Sequence, residues 1–507
     1  MYINYSKYLT LSLLFCCTLI FTQGISNQIS INSKINNEVV SILKYEISPN
    51  LYRYPFRQIK PMKKPMNVLK YFNNKLQLFP ILGLRYSTSG FEMSPKISPT
   101  IWITPGINLN LIVPVISPYS GVFFQAWGSF YKHSGYFIDK SSFELDGLKP
   151  FEFNPEYSME YFTKTKEPEW GVDFDEGQGG VALFSNKFEV YFGKFNSSLG
   201  PFLRGNLSLS LKSPSYPQFK ISYKENDFFE FTWVIGELIS EIPDSNLSIA
   251  YNNSSSIVRY PWIKRGIIQH RIDFFLSENI RVGLYEQILY GARNLPWQYL
   301  IPIMPYWSAQ HAMGDVDNLQ MGLDIDWLHQ KGRTNFAFYV DEWAPFDTFD
   351  KNNHHNWIAF QIGHTQLLTI KNELFYFRCE NALIAPQIYE HKFPINENYN
   401  QGFPLGYWSK GDSFDFWVVL AWINESKFSP RAEFEYTILG EPKYEIGRKF
   451  LDNSNYSKKK ISIVCEYNLS DIIKIDLNFS KFQLNDFENK KVVYLDTTIK
   501  FKYNISY

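Results

Sequence analysis

The sequence predicts an all-β chain closed into a large antiparallel transmembrane β-barrel, behind a short N-terminal segment that is helical or poorly structured. Three observations predict it. The N-terminus reads as an export signal, long stretches alternate with period two and carry an aromatic-rich apolar face, and short connections alternate with long ones.

The export signal comes first. Lys7 precedes an apolar run from Tyr8 to Phe21, and Thr22-Gln23-Gly24 offers a small-residue cleavage site. Residues 1–24 are therefore read as a signal peptide and the mature chain as starting near Ile25, outside the cytoplasm. The run is short for an anchor that spans a bilayer. Phe15 stands before Cys16 where a lipid-attachment site wants a small residue.

Residues 25–80 differ from the rest, being rich in Asn, Lys, Ile and Pro. Pro49, Pro55, Pro61 and Pro65 leave no room for a long helix, so short helices or extended chain remain, as a periplasmic or plug segment. From 81 to 507 the pattern becomes strand, turn, strand. No apolar run there reaches the roughly 18 residues of a membrane-crossing helix.

Alternation is clearest near the end. Val493, Leu495, Thr497, Ile499, Phe501, Tyr503, Ile505 and Tyr507 oppose Tyr494, Asp496, Thr498, Lys500, Lys502, Asn504 and Ser506. Ile473, Ile475, Leu477 and Phe479 oppose Lys474, Asp476, Asn478 and Ser480. The same division separates Leu319, Met321, Leu323, Ile325 and Trp327 from Gln320, Gly322, Asp324 and Asp326. Ser185-Asn186-Lys187 is a short connection, whereas the stretches near 140–180, 345–356 and 388–412 are long and rich in Asn, Pro and Gly. A soluble β-sandwich also alternates. The export signal, the aromatic strand ends and a terminal aromatic that resembles the mark read by the barrel insertion machinery favour the membrane barrel. Such strands of roughly 10 residues allow about 16 to 20 of them.

Composition removes other classes. With 50 basic and 50 acidic residues the formal net charge is zero, so no nucleic-acid partner is expected. Aromatics make up 18 % of the chain, too many for disorder. Of four cysteines only Cys379 and Cys465 lie beyond the signal, which excludes a disulfide scaffold. No Cys/His spacing points to zinc and no Gly-rich phosphate loop precedes a helix, so neither metal nor cofactor is expected.

Two stretches resemble the capsule assembly Wzi family of outer-membrane proteins. One is Phe188-Glu-Val-Tyr-Phe-Gly-Lys-Phe-Asn-Ser-Ser-Leu-Gly-Pro201, followed by Asn206-Leu-Ser-Leu-Ser-Leu-Lys-Ser-Pro-Ser-Tyr-Pro-Gln-Phe-Lys-Ile-Ser-Tyr223. The other runs from His270-Arg-Ile-Asp-Phe274 through Arg281-Val-Gly-Leu-Tyr-Glu-Gln-Ile-Leu-Tyr-Gly-Ala-Arg-Asn294, Ile301-Pro-Ile-Met-Pro305 and Asp317-Asn-Leu-Gln-Met-Gly-Leu-Asp324 to Asp341-Glu-Trp343. The resemblance covers roughly 180–345. Leu199 stands where members often carry Trp, and the Pro-broken 25–80 segment departs from the family's helical N-terminus. The resemblance implies a barrel of about 18 strands. It also implies a role in binding capsular polysaccharide at the outer membrane of a Gram-negative cell and helping to assemble or anchor it there, with outer-membrane lipid around it. A porin-like channel for small solutes is the alternative.

Candidate contacts for a polysaccharide follow. Asp324, Asp326 and Asp341 lie on inward faces, where paired carboxylates either act in acid/base chemistry or pair with inward cations such as Arg431, Lys474, Lys500 and Lys502 to fill a polar lumen. Glu286 falls on the apolar row, a costly place for a carboxylate, unless a bulge shifts the phase or the strand has left the membrane there. The resembling stretch contributes Glu286 and Arg293. Trp343 and Trp357 bracket one long loop, and Tyr407 and Trp408 populate another, where aromatic rings stack on sugars. His354 and His355 read as solvated loop. Ser308, His311 and Asp315 or Asp317 lack a nucleophile turn, so no enzyme is expected.

Overall fold

The computed structural model describes residues 35, 38, 39, 41, 42, 75–88, 100–115, 121–136, 161–164, 171–225, 228–252, 261–341, 357–424, 427–445, 447–452, 456–470, 473–485 and 491–503. The expected signal peptide, Trp343, His354, His355 and Tyr507 lie outside the described residues.

The strands are β1 Lys75–Ser87, β2 Thr100–Pro114, β3 Phe123–Tyr136, β4 Tyr161–Lys164, β5 Gly171–Phe184, β6 Phe188–Phe195 and β7 Tyr216–Glu225. They continue with β8 Phe229–Pro243, β9 Trp262–Ser277, β10 Ile280–Gly291, β11 Asn318–His329, β12 Gly332–Asp341, β13 Ile358–Ile370 and β14 Glu373–Ile384. After the two-residue strands β15 Tyr399–Asn400 and β16 Phe403–Pro404 come β17 Ser413–Ile423, β18 Phe428–Leu439, β19 Tyr456–Asn468, β20 Ile473–Asn485 and β21 Lys491–Tyr503. Two short helices, α1 Ser245–Asn252 and α2 Tyr306–Ala312, sit in connections.

Every wall strand pairs antiparallel with its neighbours, and β21 returns to β1 from Leu82↔Tyr503 to Ser87↔Thr498. The result is a closed barrel of 18 strands, with β4 added along the end of β5 and β15–β16 a separate ribbon. Closure leaves no free edge, the condition lipid imposes on a spanning sheet. The wall begins six residues earlier than the expected boundary at 81, at Lys75.

The faces divide as the alternation requires. Leu495 is 72 % exposed while Asp496 beside it is 3 %. Ile461, Ile463, Phe479, Val493 and Ile499 are exposed, and Lys458, Lys460, Ser462, Ser480 and Thr498 are buried in the interior. Short turns close one rim, as between Phe184 and Phe188 or His329 and Gly332, and long connections gather at the other. In membrane barrels the short-turn rim faces the periplasm and the long-connection rim the cell surface.

Candidate functional site

Two long connections turn into the barrel rather than away from it. The first, 196–215, joins β6 to β7. Gly200 has φ +136, and a Cβ there would run into the Asn206 side chain, which accepts the Phe202 N–H at 3.1 Å. A bridge between Leu199 and Leu209 ties the base. The tip then reaches strands on the opposite wall. The N–H groups of Leu203 and Arg204 donate to the Glu380 carboxylate at 2.8 and 3.1 Å, and Gln361 Nε2 donates to the Gly205 carbonyl at 2.8 Å.

Arg204 is the centre of a buried cluster. Its guanidinium donates to Asp415 at 2.5 Å and to Glu435 at 3.1 Å. Lys458 Nζ lies 3.2 Å from Glu435. The second connection, 385–412 between β14 and β17, completes it. Tyr407 donates its hydroxyl to Asp415 at 2.7 Å, and the Trp408 ring lies 5.2 Å from the Arg204 guanidinium and 5.5 Å from Lys458 Nζ. Tyr389 donates its N–H to Asp341 at 2.7 Å and its hydroxyl to the Leu207 carbonyl at 2.6 Å, while the Ser210 N–H donates to the Leu405 carbonyl at 2.8 Å. The two connections are thus bonded to each other as well as to the wall. On the second one, burial and the neighbouring Glu397 push the Glu390 carboxyl up to about 8, and burial raises Glu397 to about 7.

A ladder of opposite charges lines the wall behind them. Arg271 on β9 binds Asp273 at 2.6 Å and reaches over β10 to Asp324 on β11, also at 2.6 Å. The residue it crosses is Gly283, whose missing Cβ leaves space for the guanidinium. Arg281 adds bonds to Asp273 and Asp324 at 3.1 and 3.0 Å. Arg333 takes Asp326 at 2.6 Å. Arg378 takes Glu380 at 2.6 Å and donates to Asn335 at 3.0 Å across Gly363. Buried ions each carry several kcal/mol of desolvation, so such pairing is a condition for placing them here at all.

The N-terminal segment enters the same ladder. Its described residues 35, 38, 39, 41 and 42 are helical and buried. Ile35, Val39 and Ile42 pack with Leu203, Tyr376 and Trp417, and Glu38 binds Arg378 at 2.7 Å and accepts the Tyr376 hydroxyl at 2.5 Å. These residues precede Pro49, the first of the prolines that exclude a long helix in this segment.

The expected site residues fall as follows. Asp324, Asp326 and Asp341 are inward and buried. The first two pair with Arg271, Arg281 and Arg333, not with Arg431, Lys474 or Lys502, which bind Glu433, Glu466 and Asp476. Asp341 accepts bonds from Gln320 and Tyr389. Tyr407 and Trp408 are buried, as is Trp357, which packs edge-on against Tyr444 at 4.8 Å, so none of these rings offers an open face for a sugar. Arg293 binds Asp317 at the rim, and Tyr299 donates to the same carboxylate at 2.6 Å.

Glu286 does lie on the outward row, beside His270 and Met321. The register shift is at Ile280/Arg281, away from it, and the carboxylate is covered by the 292–317 connection, whose Tyr306 N–H it accepts at 2.8 Å. The bulge expected from sequence is absent at Glu286, and the structure adds a cover over the carboxylate. His311 approaches the Trp307 carbonyl at 2.7 Å, and Asp317 is engaged by Arg293 and Tyr299, so Ser308, His311 and the aspartates form no relay. Cys379 and Cys465 are free thiols, and no metal-binding cluster occurs among the described residues.

Sequence reasoning missed Arg204, Arg378, Glu380, Asp415, Glu435 and Glu38. Alternation carried a signal for Arg378, Glu380, Asp415 and Glu435, which occupy inward positions of their strands.

An 18-stranded closed barrel with an apolar outer wall and a charged interior is the fold of the Gram-negative outer-membrane β-barrels. Among solved structures the chain is similar to Wzi, an outer-membrane protein involved in group 1 capsule assembly in Escherichia coli and described as a carbohydrate-binding β-barrel. The TM-score is 0.52 at 10 % identity, over 84 % of this chain and 85 % of that one. It is also similar to Acinetobacter baumannii OccAB4, with a TM-score of 0.46 at 10 % identity over 86 % and 99 % of the two chains. Pseudomonas aeruginosa OprD gives 0.42 at 10 % identity over 85 % and 94 %. No protein-family model and no curated protein matches the chain.

Proposed function

We propose that this outer-membrane barrel binds a surface polysaccharide and helps to assemble or anchor it at the cell surface, as a binding protein and not an enzyme. The observation that carries this reading is the occupation of the lumen by the chain's own connections. Arg204, at the tip of 196–215, joins Asp415 and Glu435 on the far wall, and 385–412 is bonded across it. A conduit needs an unobstructed polar path, whereas a binding protein needs a fixed surface at the rim.

The likeness to Wzi in fold, with the resembling stretches of 180–345, supports placing the chain near that family. Recognition then falls on the long-connection rim. The exposed ring of Phe393 lies 5.6 Å from Lys392 Nζ, and sugars take stacking from such a ring and hydrogen bonds from such a cation. Against catalysis, Asp324 and Asp326 are each held by guanidinium groups in buried pairs, which leaves them no role as acid and base.

Deleting the gene and fractionating the surface glycan tests the proposal. The cell-attached fraction is expected to fall and the released fraction to rise. Normal attachment would remove the anchoring role.

A further inference from the structure

The connection between β10 and β11, residues 292–317, folds down over the outside of the barrel. Tyr306 and Ala309 are buried against the outward residues Trp233, Ile268, Ile288 and Leu319. A polar fastening lies beneath it. The Glu286 carboxylate accepts the Tyr306 N–H at 2.8 Å and sits 3.1 Å from His270 Nε2, and the His270 ring stacks on Tyr306 at 4.2 Å.

This cover changes what the membrane meets. β10 runs only from Ile280 to Gly291, and from Glu286 upward its outward side is under the flap. A barrel strand presents about 9–11 residues to the bilayer core. In this sector the bare wall is therefore too short, and the apolar band has to continue over the flap itself. The outer side of the flap has the composition for it. Trp297 is 84 % exposed, Ile303 85 % and Trp307 55 %. Exposed residues of the same kind, Leu284 and Trp327, form the bare wall just below.

We propose that the flap is set in the membrane leaflet on the long-connection side, with Trp297, Ile303 and Trp307 taking lipid acyl chains in place of the strands beneath. The continuity of this surface with the lipid-facing wall selects lipid as its occupant. The flap also keeps the Glu286–His270 pair out of hydrocarbon, where a carboxylate is costly, and its tryptophans suit the interface.

The test uses the full-length protein with every other cysteine replaced by serine and an environment-sensitive fluorophore on W297C or, separately, on I303C. Each is reconstituted into phosphatidylcholine vesicles whose acyl chains carry bromine at mid-depth. Bromolipid is expected to lower the emission of both labels by roughly half or more, as contact with the apolar core requires, while aqueous iodide has little effect. A label on K443C at the rim should show the reverse. Quenching of the flap labels by iodide alone would overturn the proposal in favour of a water-facing surface. Quenching by neither agent would overturn it in favour of a protein cover, a second copy included. Because 297 and 303 are separate variants at exposed positions, misfolding of one leaves the other to decide.

Discussion

Arg204 ties a lumen-crossing connection to the far wall through one guanidinium, which engages Asp415 and Glu435 at once. Replacing it by alanine leaves buried Asp415 without its cation and Glu435 with Lys458 and Lys460 alone. The variant is expected to lose about 3–5 kcal/mol of stability, read as a lower temperature for loss of the heat-modifiable form on gels. Arg204→Lys should lose less, since charge remains while the bidentate geometry goes. At this scale alternation told which side chains face inward, and Asp324, Asp326 and Asp341 are where it put them. It did not tell their partners. Arg271 finds Asp324 by crossing an intervening strand at Gly283, and a contact two strands away depends on register and on a missing Cβ. Glu286 shows the opposite lesson. Its phase was legible, but the helix that covers it comes from a connection whose path no periodicity encodes.

At the scale of elements, the strands were legible because every second residue meets lipid or lumen, whereas the inward connections were not. Asn206-Leu-Ser-Leu-Ser-Leu211 alternates as well as any wall strand, yet it belongs to a connection inside the barrel, with Leu209 bridged to Leu199. The turn that sends it there rests on Gly200. Gly200→Ala should cost roughly 1–3 kcal/mol, from the left-handed φ and the clash with Asn206, seen as a lower unfolding temperature. The N-terminal helical residues are held by Glu38. Glu38→Ala is expected to speed tryptic cleavage within 25–80 several-fold while the barrel stays heat-modifiable; unchanged cleavage would show that the ion pair does not hold the segment. The 385–412 connection carries a pH dependence. With Glu390 raised to about 8 and Glu397 to about 7, the folded chain binds more protons than the unfolded one above the ordinary glutamate range. Stability contributed by these two groups is complete below that range and is lost as pH rises toward 8. Thermal unfolding at pH 6 and pH 8.5 should show the drop, and Glu390→Gln should flatten it.

At the scale of the whole molecule, an apolar outer wall and a zero net charge describe one design. Charges are drawn inside, where they pair around the wall from β9 to β19 and onto the two connections and the N-terminal helix. That network makes the interior a structure in its own right, and the proposed binding role rests on it. Ionic current through the purified, full-length protein in a planar bilayer tests this most directly. Insertion without steady single-channel steps is expected, because 196–215 and 385–412 stay bonded across the lumen. Large, steady and voltage-independent steps from the unmodified protein would contradict it and make the barrel a channel.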